Sequence, residues 1–377
     1  MSVDDWETVK VGEIVRQEKR SITLIDDRDY QRLTIKSRGQ GVEPRDVLSG
    51  AHIKTKRQFL VRTNDFLVAE IDAKVGGFGV APGSCDGAIV SSHYFVFAPD
   101  VSRVMPQWLD LLCRRGHFTA QVEAQGSTNY AAIRPAQVLE YTLPLPSFEE
   151  QGYIVEAVAA AQDIGFACRA EGAALLNLAC STYVTEVEAG RFEEMSLGDF
   201  LTLSLQKIQV DPEETYRIAG LIIAGGGLFD RGTIVGADTN YPHLFRLGPD
   251  QLVYRKLTAW EGPITVVTPE FVGCHISSEF PTFDIDKAKV APGFMRFVAT
   301  RPWFHDEMKQ RATGTAERRN RLKPADLLEI EISVPRPHIQ DAVAAIMSQI
   351  DLLRAESVLA DSTAAGMAES MLEREAA

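Results

Sequence analysis

The chain repeats itself, and a duplication constrains a fold more than any single motif does. Trp6-Glu7 followed by Val11-Gly12-Glu13-Ile14 matches Phe192-Glu193 followed by Leu197-Gly198-Asp199-Phe200, about 186 residues later. At the same offset Tyr30 falls on Tyr216, Gly39 on Gly225, Gly41 on Gly227 and Phe97 on Phe283. Val90-Ser91-Ser92 falls on Ile276-Ser277-Ser278, and Pro106 on Pro292. Towards the end of each half the offset grows to about 189. There Arg134-Pro135-Ala136 meets Lys323-Pro324-Ala325, Leu139-Glu140 meets Leu328-Glu329, Pro146 meets Pro335 and Gln151 meets Gln340. The matches keep their order across half of a 377-residue chain. Two copies of one folding unit follow, and that length exceeds one ordinary domain in any case.

Each half has a strand-rich part followed by a long helix. Phe66–Ile71, Gln251–Leu257 and Pro263–Val267 are short β-prone runs, and Gly76-Gly77-Phe78-Gly79 and Gly225-Gly226-Gly227 mark turns. One helix is predicted from Met105 to Arg115 and its partner from Pro292 to Lys309. Ser147-Phe148-Glu149-Glu150 is a capping box that opens a long helix. Apolar residues then recur at helical spacing: Ile154, Val158, Ala161, Ile164, Ala167, Leu175, Leu178 and Tyr183. After Pro337 the pattern returns as Val343, Ile346, Ile350, Leu353, Val358, Met367 and Met371, with a loosening expected around Asp361-Ser362-Thr363 and Gly366. Forty helical residues span about 60 Å, too long for a globule of this size to cover. The other helix is the natural partner for each apolar stripe. The expected fold class is α+β: two similar globular α/β domains, 1–146 and 191–336, separated by two long antiparallel helices, 147–190 and 337–377. The helices form a coiled-coil spacer, and the whole is an internal pseudo-twofold repeat.

Motifs for self-sufficient catalysis are missing. There is no GxxxxGK[ST], no GxSxG and no HExxH; His305-Asp306-Glu307-Met308-Lys309 fails the last of these. The seven histidines are dispersed, and the five cysteines form no CxxC pair, so reduced thiols are expected. No cofactor or metal is expected in this chain. No apolar run approaches 18 residues and the N-terminus lacks a secretory pattern, so a cytoplasmic location and no membrane partner are expected.

Cationic clusters point to a polyanion. Residues 1–62 carry about thirteen Lys or Arg against about ten Asp or Glu in a chain of net charge −13. Arg32, Lys36 and Arg38 alternate with Leu33 and Ile35, which places them on one face of a strand. In the second half Arg255 and Lys256 precede Trp260, and Arg311, Arg318, Arg319 and Arg321 surround Thr313-Gly314-Thr315. Small residues there allow close backbone approach to a phosphate. Gln125-Gly126-Ser127-Thr128-Asn129 holds the matching place in the first half, and amides suit adenine edges as arginines suit guanine. The candidate DNA contacts are therefore Lys36, Arg38, Gln125, Ser127, Thr128 and Asn129, then Arg255, Lys256, Arg311, Thr313, Thr315, Arg318, Arg319 and Arg321. The acidic excess opposes DNA binding. Much of it lies along the helices, as at Glu149, Glu156, Glu171, Glu186 and Glu356, where it is expected to face water or basic partners.

The segments that close each half carry a family resemblance. Gly126-Ser127-Thr128, Ile133-Arg134, Leu143-Pro144-Leu145-Pro146, Glu149-Glu150-Gln151 and Ile154-Val155 form one series. Thr313-Gly314-Thr315, Leu322-Lys323 and Ile332-Ser333-Val334-Pro335 form a weaker one, which departs at Arg336-Pro337-His338-Ile339. Together with the repeat, these segments resemble the specificity (S) subunit of type I restriction-modification systems, over the whole chain. The resemblance implies two target recognition domains, each reading half of a bipartite site in double-stranded DNA, with the helices as a ruler. It implies partners: two modification subunits, which use S-adenosylmethionine to methylate adenine N6 on a flipped base, and restriction/translocase subunits that use ATP and Mg. The chain itself would be a non-catalytic recognition subunit. Two other readings stay open. One is a protein-interaction scaffold of duplicated modules on a coiled coil; the other is the same role in a methyltransferase-only assembly.

Overall fold

A computed structural model describes residues 6–122, 133–314 and 320–372, with side chains through residue 367. The chain divides into two compact units: residues 1–166 with 358–377, and residues 167–357.

The first unit contains three sheets. Glu7–Lys10 pairs antiparallel with Thr142–Leu145, which closes the globule just before the long helix. A four-stranded sheet runs Val15–Glu18, Tyr94–Pro99, Phe66–Ala69, Phe78–Val80. A five-stranded sheet runs Ser21–Thr23, Arg57–Leu60, Ile89–Val90, Asp29–Lys36, Gly41–Ser49, with one parallel pairing between Asp29–Lys36 and Ile89–Val90. The sequence accounts for these strands locally. Leu33 and Ile35 of Asp29–Lys36 are buried while the residues between and beside them are not, the period-2 pattern of a strand with one covered face. All four residues of Phe66–Ala69 are buried. Phe66 and Val68 enter the core beneath the helices, and Leu67 and Ala69 a second core behind the sheet.

The second unit repeats this order. Phe192–Ser196 pairs with Glu331–Pro335. The four-stranded sheet runs Leu201–Leu203, Thr282–Ile285, Leu252–Tyr254, Ile264–Val266. The five-stranded sheet runs Gln206–Gln209, His243–Arg246, His275–Ile276, Thr215–Ile222, Gly227–Val235. Its one parallel pairing recurs, between Ile218 and His275. The long hairpin has an irregularity at the same place in both copies, between Arg32 and Leu33 and between Arg217 and Ala219. Leu252 and Tyr254 again face one core and Val253 the other. Thus the duplication extends to strand order, register and side-chain partition.

The matched glycines and glutamines explain themselves in three dimensions. Gly39 and Gly225 have φ of +67° and +66°. A Cβ would lie 2.6 Å from the Arg114 carbonyl oxygen at Gly39, and 2.3 Å from that of Ala299 at Gly225. Only glycine meets both demands. Gln151 and Gln340 are buried. Oε1 of Gln151 accepts from the backbone N–H of Met105 (2.8 Å), and its Nε2 donates to Arg103 O and Pro146 O (both 3.0 Å). Gln340 Oε1 accepts from the N–H of Ala291 (2.8 Å), and its Nε2 donates to Lys289 O (3.2 Å) and Pro335 O (2.9 Å). Each glutamine ties the start of a short helix to the end of the closing strand.

The first short helix is Pro106–Arg114, close to expectation. Its partner is not one helix but two, Pro292–Ala299 and Pro302–Arg311. Pro302 lacks the N–H that a continuing helix needs and its ring clashes with the preceding turn, so the chain restarts there with proline in the first turn. The long helices are Phe148–Glu188 and Pro337–Leu372. The capping box forms: the Ser147 N–H donates to Glu150 Oε2 (3.0 Å) and the Glu150 N–H to Ser147 Oγ (3.3 Å). The second helix continues through Asp361-Ser362-Thr363, where Ser362 Oγ donates to Leu359 O (2.9 Å).

The helices' buried faces differ from the expected stripe. Ile164, Leu178 and Val358 are exposed. Burial instead falls on Ile154, Val158, Ala161, Gly165 and Cys168, then on Ala179, Tyr183 and Glu186. The second helix buries Gln340, Val343, Met347, Ile350, Ser357, Ala360 and Ala364. The buried positions of both helices recur at alternating steps of three and four. In the first unit Ile154, Val158 and Ala161 share a core with Ala364. In the second, Ala179 and Tyr183 share one with Val343, Met347 and Ile350. Glu186 does not face water as expected. It is 6% exposed, and its carboxylate is clasped by Arg191 (2.7 Å) and Arg336 (3.0 Å). Those hydrogen bonds, Arg191's foremost, outweigh the penalty of burial and hold its pKa down at about 2.

Candidate nucleic-acid interface

In the first unit the expected stripe of cations does not form as drawn. The strand ends at Lys36, and Arg38 sits in the following turn with φ of +60°, so it cannot share the strand's alternation. Arg32 makes a two-pronged ion pair with Asp46 (2.7 and 2.6 Å) across the hairpin, and Lys36 Nζ lies 2.8 Å from Glu43. Hairpin carboxylates therefore neutralise two of the three. The Asp46 carboxyl is pulled below its usual range, above all by its hydrogen bond from Arg32. Arg38 is different. It lines a shallow groove with Gly39, Gly76, Arg114, Arg115 and Gly116, and its backbone N–H donates to Val75 O (2.7 Å). Arg114 in that groove pairs with Asp110 (2.6 Å). The structure thus adds Arg114 and Arg115 to the basic surface around Arg38, two residues that their place in an amphipathic helix concealed. Gln125, Ser127, Thr128 and Asn129 lie outside the described residues.

In the second unit distant segments converge. Arg321 and Thr313 exchange backbone hydrogen bonds (2.9 and 3.0 Å), and Arg321 bridges to Leu257. The Leu322 N–H donates to Lys256 O (3.0 Å), and buried Tyr254 Oη donates to Leu322 O (2.9 Å). These bonds bring Arg255, Lys256, Thr313 and Arg321 together, with Arg311 at the end of the adjoining helix. Arg255 is held inward. Its Nε donates to Leu257 O (2.9 Å), and one terminal nitrogen meets Thr258 Oγ1 (2.5 Å) and Glu261 (2.7 Å). Arg311 pairs with Glu307 one helical turn back. Arg321 reaches Glu279 Oε1 (3.0 Å) and is half exposed. Lys309 lies over the Trp260 ring, 5.9 Å from its centre. Thr315, Arg318 and Arg319 lie outside the described residues.

Two features escaped sequence reasoning. Glu279 is 42 positions from Arg321, beyond any local spacing rule. The repeat register is the signal that marks it, since His93 and Glu279 each follow a matched Ser-Ser pair. The second feature is a reversal of charge at equivalent places. In the first unit Glu70 accepts from the backbone with the register of Lys256, and its carboxylate meets His93 (2.9 Å) and Arg134 (3.4 Å). In the second, a lysine stands where Glu70 stood and a glutamate where His93 stood. One frame therefore carries opposite charges at its two copies.

Among the described residues no three His, Cys, Asp or Glu side chains are grouped to hold a metal ion. The five cysteines are unpaired, four of them buried. No described helix is long and apolar enough to cross a membrane.

No protein-family model matches the chain. No curated protein matches it either. Solved structures do. The S subunit of a type I restriction-modification system from M. genitalium is 12% identical, aligned over 97% of this chain and 96% of that one, with a TM-score of 0.62. The fold is therefore that of this S subunit. The HsdS subunit from Thermoanaerobacter tengcongensis aligns over 97% of this chain and 96% of its own at 19% identity, but with a TM-score of 0.41.

Proposed function

We propose that the chain is the sequence-specific DNA-recognition subunit of a type I restriction-modification complex. One observation carries the reading: an exact repeat of strand order in two units, each including part of two long helices, within a fold like that of an S subunit. Duplicated readers on helices suit a target with two half-sites at fixed spacing. Residues 1–146 and 191–336 act as target recognition domains. Helices 147–190 and 337–377 pair antiparallel as a coiled-coil spacer, a role supported by their three-four burial rhythm. In the first domain Lys36, Arg38, Gln125, Ser127, Thr128 and Asn129 contact the duplex. In the second Arg255, Lys256, Arg311, Thr313, Thr315, Arg318, Arg319 and Arg321 do so. Arg255 and Arg311 also pair with Glu261 and Glu307 of this chain. The chain is non-catalytic and cytoplasmic. It positions two modification subunits, which supply S-adenosylmethionine-dependent adenine-N6 methylation, and restriction subunits that use ATP and Mg.

A second reading has an observation in its favour. Lys36, Arg255 and Arg311 all meet carboxylates of this chain, as a scaffold that never touches DNA would allow. Methylome sequencing separates the two. A host lacking N6-methyladenine receives the partner methyltransferase with or without this chain. A new bipartite motif, methylated on both strands only when the chain is present, is expected. A co-purifying complex that writes no motif supports the scaffold.

A further inference from the structure

Among the cations of the second unit, Arg321 is held in a distinctive way. Its backbone is tied on both sides to Thr313, and its side chain to Glu279 at 3.0 Å, yet half of that side chain is exposed. Glu279 is itself anchored, since its carbonyl accepts from the Lys256 N–H (2.9 Å). Its second carboxylate oxygen is shut off from water and, among the described residues, has no hydrogen-bond partner. A buried, unsolvated oxygen on that carboxylate favours keeping the Arg321 guanidinium beside it. The pair orients Arg321, and among the described residues its guanidinium has no other side-chain acceptor. A rigid, exposed guanidinium fork matches the O6 and N7 acceptors of guanine; it also matches a phosphate, and the two contacts differ in whether they discriminate between bases. Arg255, by contrast, has its donors engaged by Leu257, Thr258 and Glu261. In the repeat register of the sequence, histidine (His93) and alanine (Ala132) stand in the first half where Glu279 and Arg321 stand in the second.

We infer that Arg321, positioned by Glu279, reads a guanine in the half-site bound by the second unit. The inference rests on the DNA-recognition reading above. The two half-sites then differ at this place.

The methylome of the complex tests it with wild type, Arg321→Ala, Arg321→Lys and Glu279→Gln. Wild type is expected to write a bipartite motif with a required guanine in one half-site. Arg321→Ala is expected to keep every other position and lose discrimination at that guanine by about ten- to a hundredfold. Arg321→Lys relaxes the same position, since lysine lacks the fork. Glu279→Gln relaxes it more weakly, a pattern that mere loss of stability would not produce. If Arg321→Ala lowers methylation uniformly with the motif intact, Arg321 is a phosphate contact and the inference falls. Should that variant not assemble, Arg321→Lys and Glu279→Gln decide by the same criterion. A wild-type complex that writes no motif overturns the recognition reading, and this inference with it.

Discussion

Single residues divide here into those that read outward and those that hold the frame. Glu186 belongs to the second kind, although its place among helix acids suggested water. Its folded-state pKa of about 2 lies below the ordinary 4.5. A depressed carboxylate pKa contributes stability that is fully present above the unfolded value and lost as pH falls through the folded one. Thermal stability is therefore expected to drop between about pH 4.5 and pH 2. Glu186→Gln should flatten that stretch of a plot of Tm against pH. An unchanged slope would show that the Arg191–Glu186–Arg336 clasp does not couple to folding. Lys256 is proposed to be of the first kind, since among the described residues its amine has no ion-pair partner. As a phosphate contact, Lys256→Ala is expected to weaken binding to all duplexes alike and to lower the salt slope by about one. Titrations of the complex with duplex at graded salt would show it. These roles were only partly legible in sequence. Spacing reveals that a residue is charged, but not whether a carboxylate 42 positions away has claimed it.

At the level of elements, the two copies explain one another. Gln151 and Gln340 use the same three backbone partners in each copy, so neither is an accident of one loop. Replacing either by alanine leaves buried backbone groups unpaired, at a cost of about 1–3 kcal/mol. Urea unfolding should report that loss, and hydrogen exchange should place it at Met105 or at Ala291. A loss of less than about 0.5 kcal/mol would mean that water replaces the amide. Gly39→Ala and Gly225→Ala are expected to be as damaging, because the new methyl meets a carbonyl at a positive φ. The break at Pro302 was readable from the proline alone, since no helix interior accommodates it freely. The exposure of Ile164, Leu178 and Val358 was not. A run of apolar residues fits a 3.6 or a 3.5 period almost equally well over a few turns, and only packing selects between them.

On the scale of the whole molecule, charge and repetition pull in different directions. A net charge of −13 repels a duplex, and many of the cations near the candidate interfaces already have acidic partners. The chain alone is therefore expected to bind DNA more weakly than its complex with the methyltransferase. Fluorescence anisotropy at fixed salt compares them, and equal affinities would refute the expectation. What the sequence determined by itself was the duplication, the strand-rich and helical parts of each half, and the starts of the long helices. All of these follow from local patterning, caps and collinear matches, which a linear string carries in full. What the tertiary structure decided was that Glu186 lies buried, which arginine is held by which acid, and that Glu279 and Arg321 meet. Those outcomes depend on contacts between segments tens of residues apart, and their energies come from burial and geometry that no spacing encodes.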